Sequence, residues 1–71
     1  MAKKKKNTID NLEVGDVIVW GNKHGATQTG KIIDMMIPTM WEVLVEFTKD
    51  NTIRQTEVSL ASILKINGVE V

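Results

Sequence analysis

The sequence predicts an all-β protein: a small, five-stranded, antiparallel, partly open barrel with one short helical turn. Apolar and polar residues alternate with a period of two over residues 41–47, which is the pattern of a strand with one buried face. Short apolar or β-branched runs are separated by turn residues along the chain. No segment shows helical periodicity over the 10–12 residues that a stable helix needs.

The strongest local pattern is a hairpin over residues 41–58. Its first strand has one alternating apolar set: Trp41, Val43, Val45 and Phe47. Lys49-Asp50-Asn51 then supplies turn residues that tolerate positive φ, and a β-branched, polar strand resumes at Thr52. This hairpin predicts the centre of the sheet.

The other elements follow in order along the chain. Ile9 and Leu12 are predicted to close one end of the core, before an apolar strand over residues 17–20 and a glycine-rich loop over residues 21–30. A second strand covers residues 31–36, and one helical turn over residues 57–62 is capped by Ser59. A last strand over residues 63–66 precedes an Asn67-Gly68 turn and a final pairing segment. The predicted core includes Val17, Val19, Ile32, Val43, Val45, Phe47, Ile53, Val58 and Ile63.

Length and composition limit the class of protein. Seventy-one residues allow one domain, which buries only about 60% of the surface of its unfolded chain. The chain has no cysteine, which excludes disulfides and thiolate zinc sites and suits a reducing cytoplasm. No apolar run approaches the ~20 residues of a membrane helix, and no apolar region of a secretory signal follows the basic N-terminus. The sequence therefore predicts a soluble, cytoplasmic protein that does not bind membranes.

Charge divides the chain into a basic tail and an acidic body. Lys3, Lys4, Lys5 and Lys6 are four of the nine basic residues, and all nine acidic residues lie at or after Asp10. Residues 1–6 are predicted to be a disordered tail, and residues 7–71 a barrel of net charge −4. The tail either contacts phosphates, as lysines do on nucleic acid, or is only a solubilising end.

Two connections are candidates for function. The predicted loop over residues 21–30 contains His24, the single histidine, which is either a solvated side chain or a partner contact. The connection over residues 35–41 is apolar and contains Met36, Ile37, Met40 and Trp41, although turns are usually polar. It is either a lid over the core or an exposed binding patch, because methionine is common on adaptable binding surfaces.

The sequence argues against an enzyme. General acid–base and nucleophilic catalysis need converging titratable groups, and here the acidic residues are scattered with no His/Asp/Glu cluster at ligand spacing. No cofactor and no metal are expected. Glu42 and Glu46 project from one face of a predicted strand, and they form either a plain polar surface or an acidic stripe for a basic partner.

The chain resembles the SH3-like barrels of KOW, Tudor and related small domains over about residues 12–66. The resemblance rests on the Val14-Gly15-Asp16-Val17 start, the Gly30-Lys31-Ile32 strand opening, a hairpin similar to V-x-V-x-F-x-D-G at residues 43–51, and a closing turn at Leu60. The chain also looks similar to small bacteriophage-encoded proteins. The chain has no tyrosine, one phenylalanine and two tryptophans, which are few aromatic residues for a Tudor-type aromatic cage. Its acidic body also differs from the basic RNA-binding face of KOW domains.

Two functions remain. The first is a small protein-interaction module, a phage-type regulator or adaptor that binds and modulates a larger host protein. Its predicted site comprises Met36, Ile37, Met40, Trp41, Trp20, His24, Glu42 and Glu46. The second is a nucleic-acid-binding accessory protein in which the lysine tail binds phosphate groups while Trp20 or Trp41 stacks on a base. The acidic body favours the protein partner.

Overall fold

The computed structural model describes residues 6–35 and 41–71 and shows an all-β protein. Two 3-10 turns, Ile9–Asn11 and Leu60–Ser62, are the helical elements of these described ranges. The strands are β1 (Val17–Gly21), β2 (Thr27–Met35), β3 (Glu42–Lys49), β4 (Thr52–Ser59), β5 (Ile63–Ile66) and β6 (Val69–Glu70). The predicted disorder of the lysine tail falls on residues 1–6, of which 1–5 lie outside the described residues.

The strands form one antiparallel sheet in the order β4-β3-β2-β1-β5-β6. The prediction of an all-β antiparallel fold is confirmed, but the described residues contain six strands where the sequence predicted five. The additional strand is β6, which pairs with β5 through the register Ile66↔Val69. Within the described ranges the sheet does not close, so β4 and β6 remain its two edges.

Two tight turns set the register of the outer hairpins. Asp50 and Asn51, between β3 and β4, have φ of 53° and 62°. Asn67 and Gly68, between β5 and β6, have φ of 50° and 84°. Positive φ at both central residues is the backbone of a two-residue type I′ turn, whose twist matches the twist of the strands that it joins. Both predicted turns are confirmed.

The predicted ten-residue loop over residues 21–30 is wrong. The connection between β1 and β2 covers only residues 22–26, because β2 already begins at Thr27, which pairs with Gly21. Gly30 lies inside β2 for a packing reason. A Cβ at this position would come within 2.6 Å of both the Glu46 carbonyl oxygen and a Val45 methyl group. Here glycine permits a close approach of two strands, and it does not mark a loop.

The core lies on one face of the sheet. Its buried apolar residues are Leu12, Ile18, Ile32, Val43, Val45, Val58, Ile63 and Ile66. Ile9, Trp20 and Leu60 are half-buried and pack against this cluster, so the segment before β1 and the second 3-10 turn both cover the core. As predicted, the Ala61 amide donates to the Ser59 hydroxyl at the start of that turn, at 3.4 Å.

Four predicted core residues are not buried. In β1 the completely buried residue is Ile18, whereas Val17 is 42% exposed and Val19 is half-buried, because the opposite face of this all-apolar strand turns inward. Ile53 is 69% exposed because Val58, five residues later in β4, is buried, and alternation then places Ile53 on the outer face. Phe47 is half-buried, and its ring meets the edge of Trp20 with centroids 5.7 Å apart.

Asn67 ties the second tight turn to the segment before β1. Its amide oxygen accepts from the Val17 amide at 2.9 Å. Its side-chain nitrogen donates to Asn7 at 2.8 Å and to the buried carboxylate of Asp16 at 3.1 Å. The other Asp16 oxygen accepts from the Glu13 amide at 2.9 Å. Asn67 therefore fixes β5 and β6 against the start of β1.

Replacing Asn67 by glycine should destabilise the protein by roughly 2–3 kcal/mol in chemical denaturation. Glycine keeps the positive φ but removes three side-chain hydrogen bonds, one of them to the buried Asp16. Asn51→Gly is the matched control, since Asn51 also has positive φ and makes no side-chain hydrogen bond within the described ranges. Equal effects of the two substitutions would mean that the Asn67 side chain contributes nothing.

In the described parts of the chain, no helix has both the length and the apolar character required to cross a membrane.

Candidate partner-binding site

Trp41 has an unusual backbone and an exposed side chain. It directly precedes β3 with a φ of 55°, and 69% of the residue is accessible to solvent. Its carbonyl oxygen accepts from the Leu60 amide at 2.9 Å, which extends the pairing of β3 and β4 by one hydrogen bond. Because Leu60 packs against the core, this bond anchors the Trp41 backbone to the folded body.

The left-handed conformation of Trp41 is energetically unfavourable. For a residue with a Cβ it costs roughly 1–2 kcal/mol, and bulky side chains rarely adopt it outside turns and functional sites. Burial of the indole does not compensate for this cost, because the residue is mostly exposed. Trp41 is thus a large apolar side chain held at the surface by a strained backbone.

An acidic face lies on the side of the sheet opposite the core. Val43 and Val45 are buried, so the alternating residues of β3, Glu42, Leu44 and Glu46, lie on the outer face. Directly opposite Leu44 are Glu57 on β4 and Asp34 on β2. We define the acidic face as Asp34, Glu42, Glu46 and Glu57, with the half-buried Leu44 at its centre.

A β-bulge places Asp34 on this face. The pairing of β2 with β3 shifts between Ile32 and Asp34, so that Ile32 pairs with Val45 and Asp34 with Leu44. Without the extra residue, simple alternation from the buried Ile32 would turn Asp34 toward the core. Alternation along β3 predicts Glu42 and Glu46 on this face, but it does not predict Asp34 or Glu57, which lie on other strands. Asp34 lies within the apolar run of β2, and an unpaired carboxylate is rarely buried. Its position two residues after an apolar residue that faces the core is therefore the signal in the sequence that indicates the bulge.

The acidic face is predominantly negative. Asp34 and Glu57 flank Leu44 from the two neighbouring strands, so their Cα atoms are separated by two strand spacings, roughly 10 Å. Among the described residues, one basic residue lies directly opposite a member of the acidic face. This residue is Lys31, which pairs with Glu46. Four carboxylates and one ammonium group leave a surface suited to positively charged side chains.

The structure brings together only some of the predicted site residues. Trp41 and Glu42 are adjacent at the start of β3, and Glu46 follows on the same strand. Trp20 is half-buried and packs against Phe47. Phe47 lies six residues after Trp41, so about 20 Å of strand separates Trp41 from the Trp20–Phe47 contact. His24 lies in the exposed connection that precedes β2, at the opposite end of that strand from Met35. Met36, Ile37 and Met40 lie outside the described residues, as do Lys3, Lys4 and Lys5; Lys6 is exposed.

A shallow groove of about 420 Å³ lies toward the β6 edge of the sheet. Its lining consists of Val19, Lys23, Thr27, Leu64, Lys65, Glu70 and Val71. These side chains include one carboxylate and two ammonium groups but no pair of nucleophile and base. In the described ranges, no three histidine, cysteine, aspartate or glutamate side chains are grouped closely enough to hold a metal ion.

Comparisons of the chain with protein-family models, with curated proteins and with solved structures find no match. Trp41 and the acidic face are therefore the features from which a function is proposed.

Proposed function

We propose that this protein is a small, non-enzymatic protein-interaction module that binds a larger protein through Trp41 and the acidic face. The observation that supports this most strongly is the strained, exposed Trp41 beside Glu42. Tryptophan is the residue most enriched in the energetic centres of protein interfaces, where it packs in an apolar centre ringed by polar groups. A strained backbone that keeps tryptophan at the surface is easier to explain by a partner than by folding alone.

The charge of the site favours a basic partner segment. Lysine and arginine side chains on the partner would pair with Glu42, Glu46 and their neighbours, and complementary charges of this kind raise association rates and select partners. Leu44 supplies a small apolar centre between the carboxylates. A basic, partly apolar surface of another protein is therefore the occupant that best fits the site.

The alternative function, nucleic-acid binding, has less support. A surface of four carboxylates repels phosphate, and electrostatic affinity for nucleic acid requires the opposite sign. Trp20, one of the two tryptophans expected to stack on a base, is half-buried against Phe47. This alternative therefore depends on the lysine tail, with Trp41 as the stacking residue.

We further propose that the open sheet belongs with the SH3-like barrels. The strand order β4-β3-β2-β1-β5, with a 3-10 turn before β5, supports this proposal. The roles of host-directed regulator or adaptor, and the resemblance to small bacteriophage-encoded proteins, remain predictions from the sequence. The prediction that residues 35–41 form either a lid or a binding patch concerns a connection of which residues 36–40 lie outside the described residues.

The proposed function is tested by affinity capture from cell lysate, with and without nuclease. Wild-type protein should retain a protein partner after nuclease treatment. Trp41→Ala and Glu42→Lys should each weaken that capture at least fivefold, which corresponds to about 1 kcal/mol, while leaving the folded state intact.

Glu70→Lys is the matched control. It makes the same charge change as Glu42→Lys but lies on β6, at the opposite edge of the sheet from β4, and should leave capture unchanged. Loss of all captured material with nuclease would replace this function by nucleic-acid binding. Equal weakening by Glu42→Lys and Glu70→Lys would show that net charge, and not the acidic face, determines the interaction.

A further inference from the structure

The free edge of β4 presents a row of backbone hydrogen-bonding groups. β4 is eight residues long, and among the described residues it pairs only with β3. In a two-residue hairpin the pair beside the turn, here Lys49 and Thr52, is a hydrogen-bonded pair, and bonded and non-bonded pairs then alternate. The outward amides and carbonyls of β4 therefore belong to Ile53, Gln55, Glu57 and Ser59.

These outward groups are available for pairing. No backbone–backbone hydrogen bond of the described residues reaches the outward groups of Ile53, Gln55 or Glu57, and all three residues are exposed. The register with β3 is continuous from Glu42↔Ser59 to Lys49↔Thr52. Exposed edges are normally interrupted by proline, bulges or short length, and β4 has none of these. From Ile53 to Ser59 the edge offers a regular template of roughly 20 Å.

The side chains along this edge indicate what would pair with it. Ile53 is 69% exposed, although it is a β-branched apolar residue in a regular strand. Glu57, four residues along, is a member of the acidic face and pairs with Leu44 on β3. Ile53, Gln55 and Glu57 share the outer face, so a strand added to this edge meets an apolar residue at one end and a carboxylate at the other.

We propose that the β4 edge binds an extended, basic segment of the partner protein as a seventh strand. This inference rests on the proposed function and specifies its partner. Main-chain hydrogen bonds would supply affinity, and alternate side chains would supply specificity, as in other cases of strand addition. In an antiparallel arrangement the segment has a lysine or arginine opposite Glu57 and an apolar residue four positions later, opposite Ile53.

The test uses a peptide with this pattern, acetylated Thr-Lys-Thr-Thr-Thr-Val-Thr amide, and the full chain labelled with ¹⁵N. At millimolar peptide, the amides of Ile53, Gln55 and Glu57 should exchange with solvent at least tenfold more slowly, because they now donate to the added strand. The control peptide Thr-Lys-Thr-Thr-Val-Thr-Thr moves valine to the other face and should bind at least tenfold more weakly. Equal binding of both peptides would overturn the proposal.

Gln55→Pro tests the role of the backbone itself. Proline removes an outward donor but no hydrogen bond to β3, and proline is tolerated at such positions of edge strands. This variant should lose peptide binding, whereas the matched variant Gln55→Thr, which keeps the amide, should bind as wild type does. If Gln55→Pro fails to fold, Glu57→Lys provides the second test: it should abolish the preference for this peptide over one with glutamate in place of lysine.

The remaining outcomes separate this inference from the proposed function. Peptide binding that Gln55→Pro leaves unchanged but Trp41→Ala removes would overturn strand addition and leave the interaction module standing. If Gln55→Pro and Trp41→Ala each lose capture of the partner protein, the result supports both strand addition at β4 and the interaction module. Self-association of wild-type protein through β4, abolished by Gln55→Pro in analytical ultracentrifugation, would assign the edge to a second copy and overturn the proposal of a basic segment.

Discussion

Ile18→Ala is expected to destabilise the protein by about 2–5 kcal/mol in chemical denaturation, the usual cost of truncating a buried isoleucine. Ile18 is completely buried between β2 and β5, with Gly30 and Ile66 as its register partners. Stability in proteins amounts to roughly 0.05–0.15 kcal/mol per residue, so in this chain the loss is a large fraction of the total. The variant should be partly unfolded at physiological temperature.

The adjacent Val17→Ala is the matched control for Ile18→Ala. Val17 is 42% exposed on the other face of the same strand, and its truncation should cost about 0.5–1 kcal/mol. A reversed order, with Val17 more important than Ile18, would mean that β1 presents the opposite face to the core.

Gly30→Ala is expected to destabilise the protein by about 2–3 kcal/mol, the upper end of the usual range for overpacking. The added methyl group would lie 2.6 Å from the Glu46 carbonyl oxygen, and backbone inside a paired strand cannot move away without separating β2 from β3. Thermal denaturation measures the loss, and NMR shifts should concentrate at Glu46 and Phe47.

Gly68→Ala separates this effect from the general cost of replacing glycine. A Cβ at Gly68 meets nothing within 4 Å, so only its positive φ of 84° opposes the substitution, at roughly 1–2 kcal/mol. A Gly30→Ala variant as stable as wild type would contradict the close approach of β2 and β3.

The sequence predicted the parts of the fold that depend on local chemistry. Asp50-Asn51 and Asn67-Gly68 were identifiable because few residues accept positive φ, and the burial of Val43 and Val45 followed from alternation. The inward face of β1 was not predictable in this way. Residues 17–20 are all apolar, so alternation gives no information, and the choice of Ile18 depends on the strands packed beside it.

The candidate site was predictable only along single strands. Glu42 and Glu46 share a face of β3 by simple alternation, and Trp41 precedes them in sequence. Asp34 and Glu57 join them through a bulge and through cross-strand register, neither of which alternation reveals. Trp20 and His24 were grouped with Trp41 on residue type, but the length of β2 and β3 places them toward the other end of the sheet.

The central claim, that the Trp41 end of β3 meets a protein partner, is tested most directly by site-specific photocrosslinking in cells. Trp41 is replaced by the photoreactive p-benzoylphenylalanine, and a second variant has the same replacement at Val69, an exposed apolar residue on β6. The proposed function predicts nuclease-resistant crosslinks to protein from position 41 that excess wild-type protein suppresses, and none from position 69. Crosslinks to nucleic acid alone, or equal crosslinking from both positions, would contradict it.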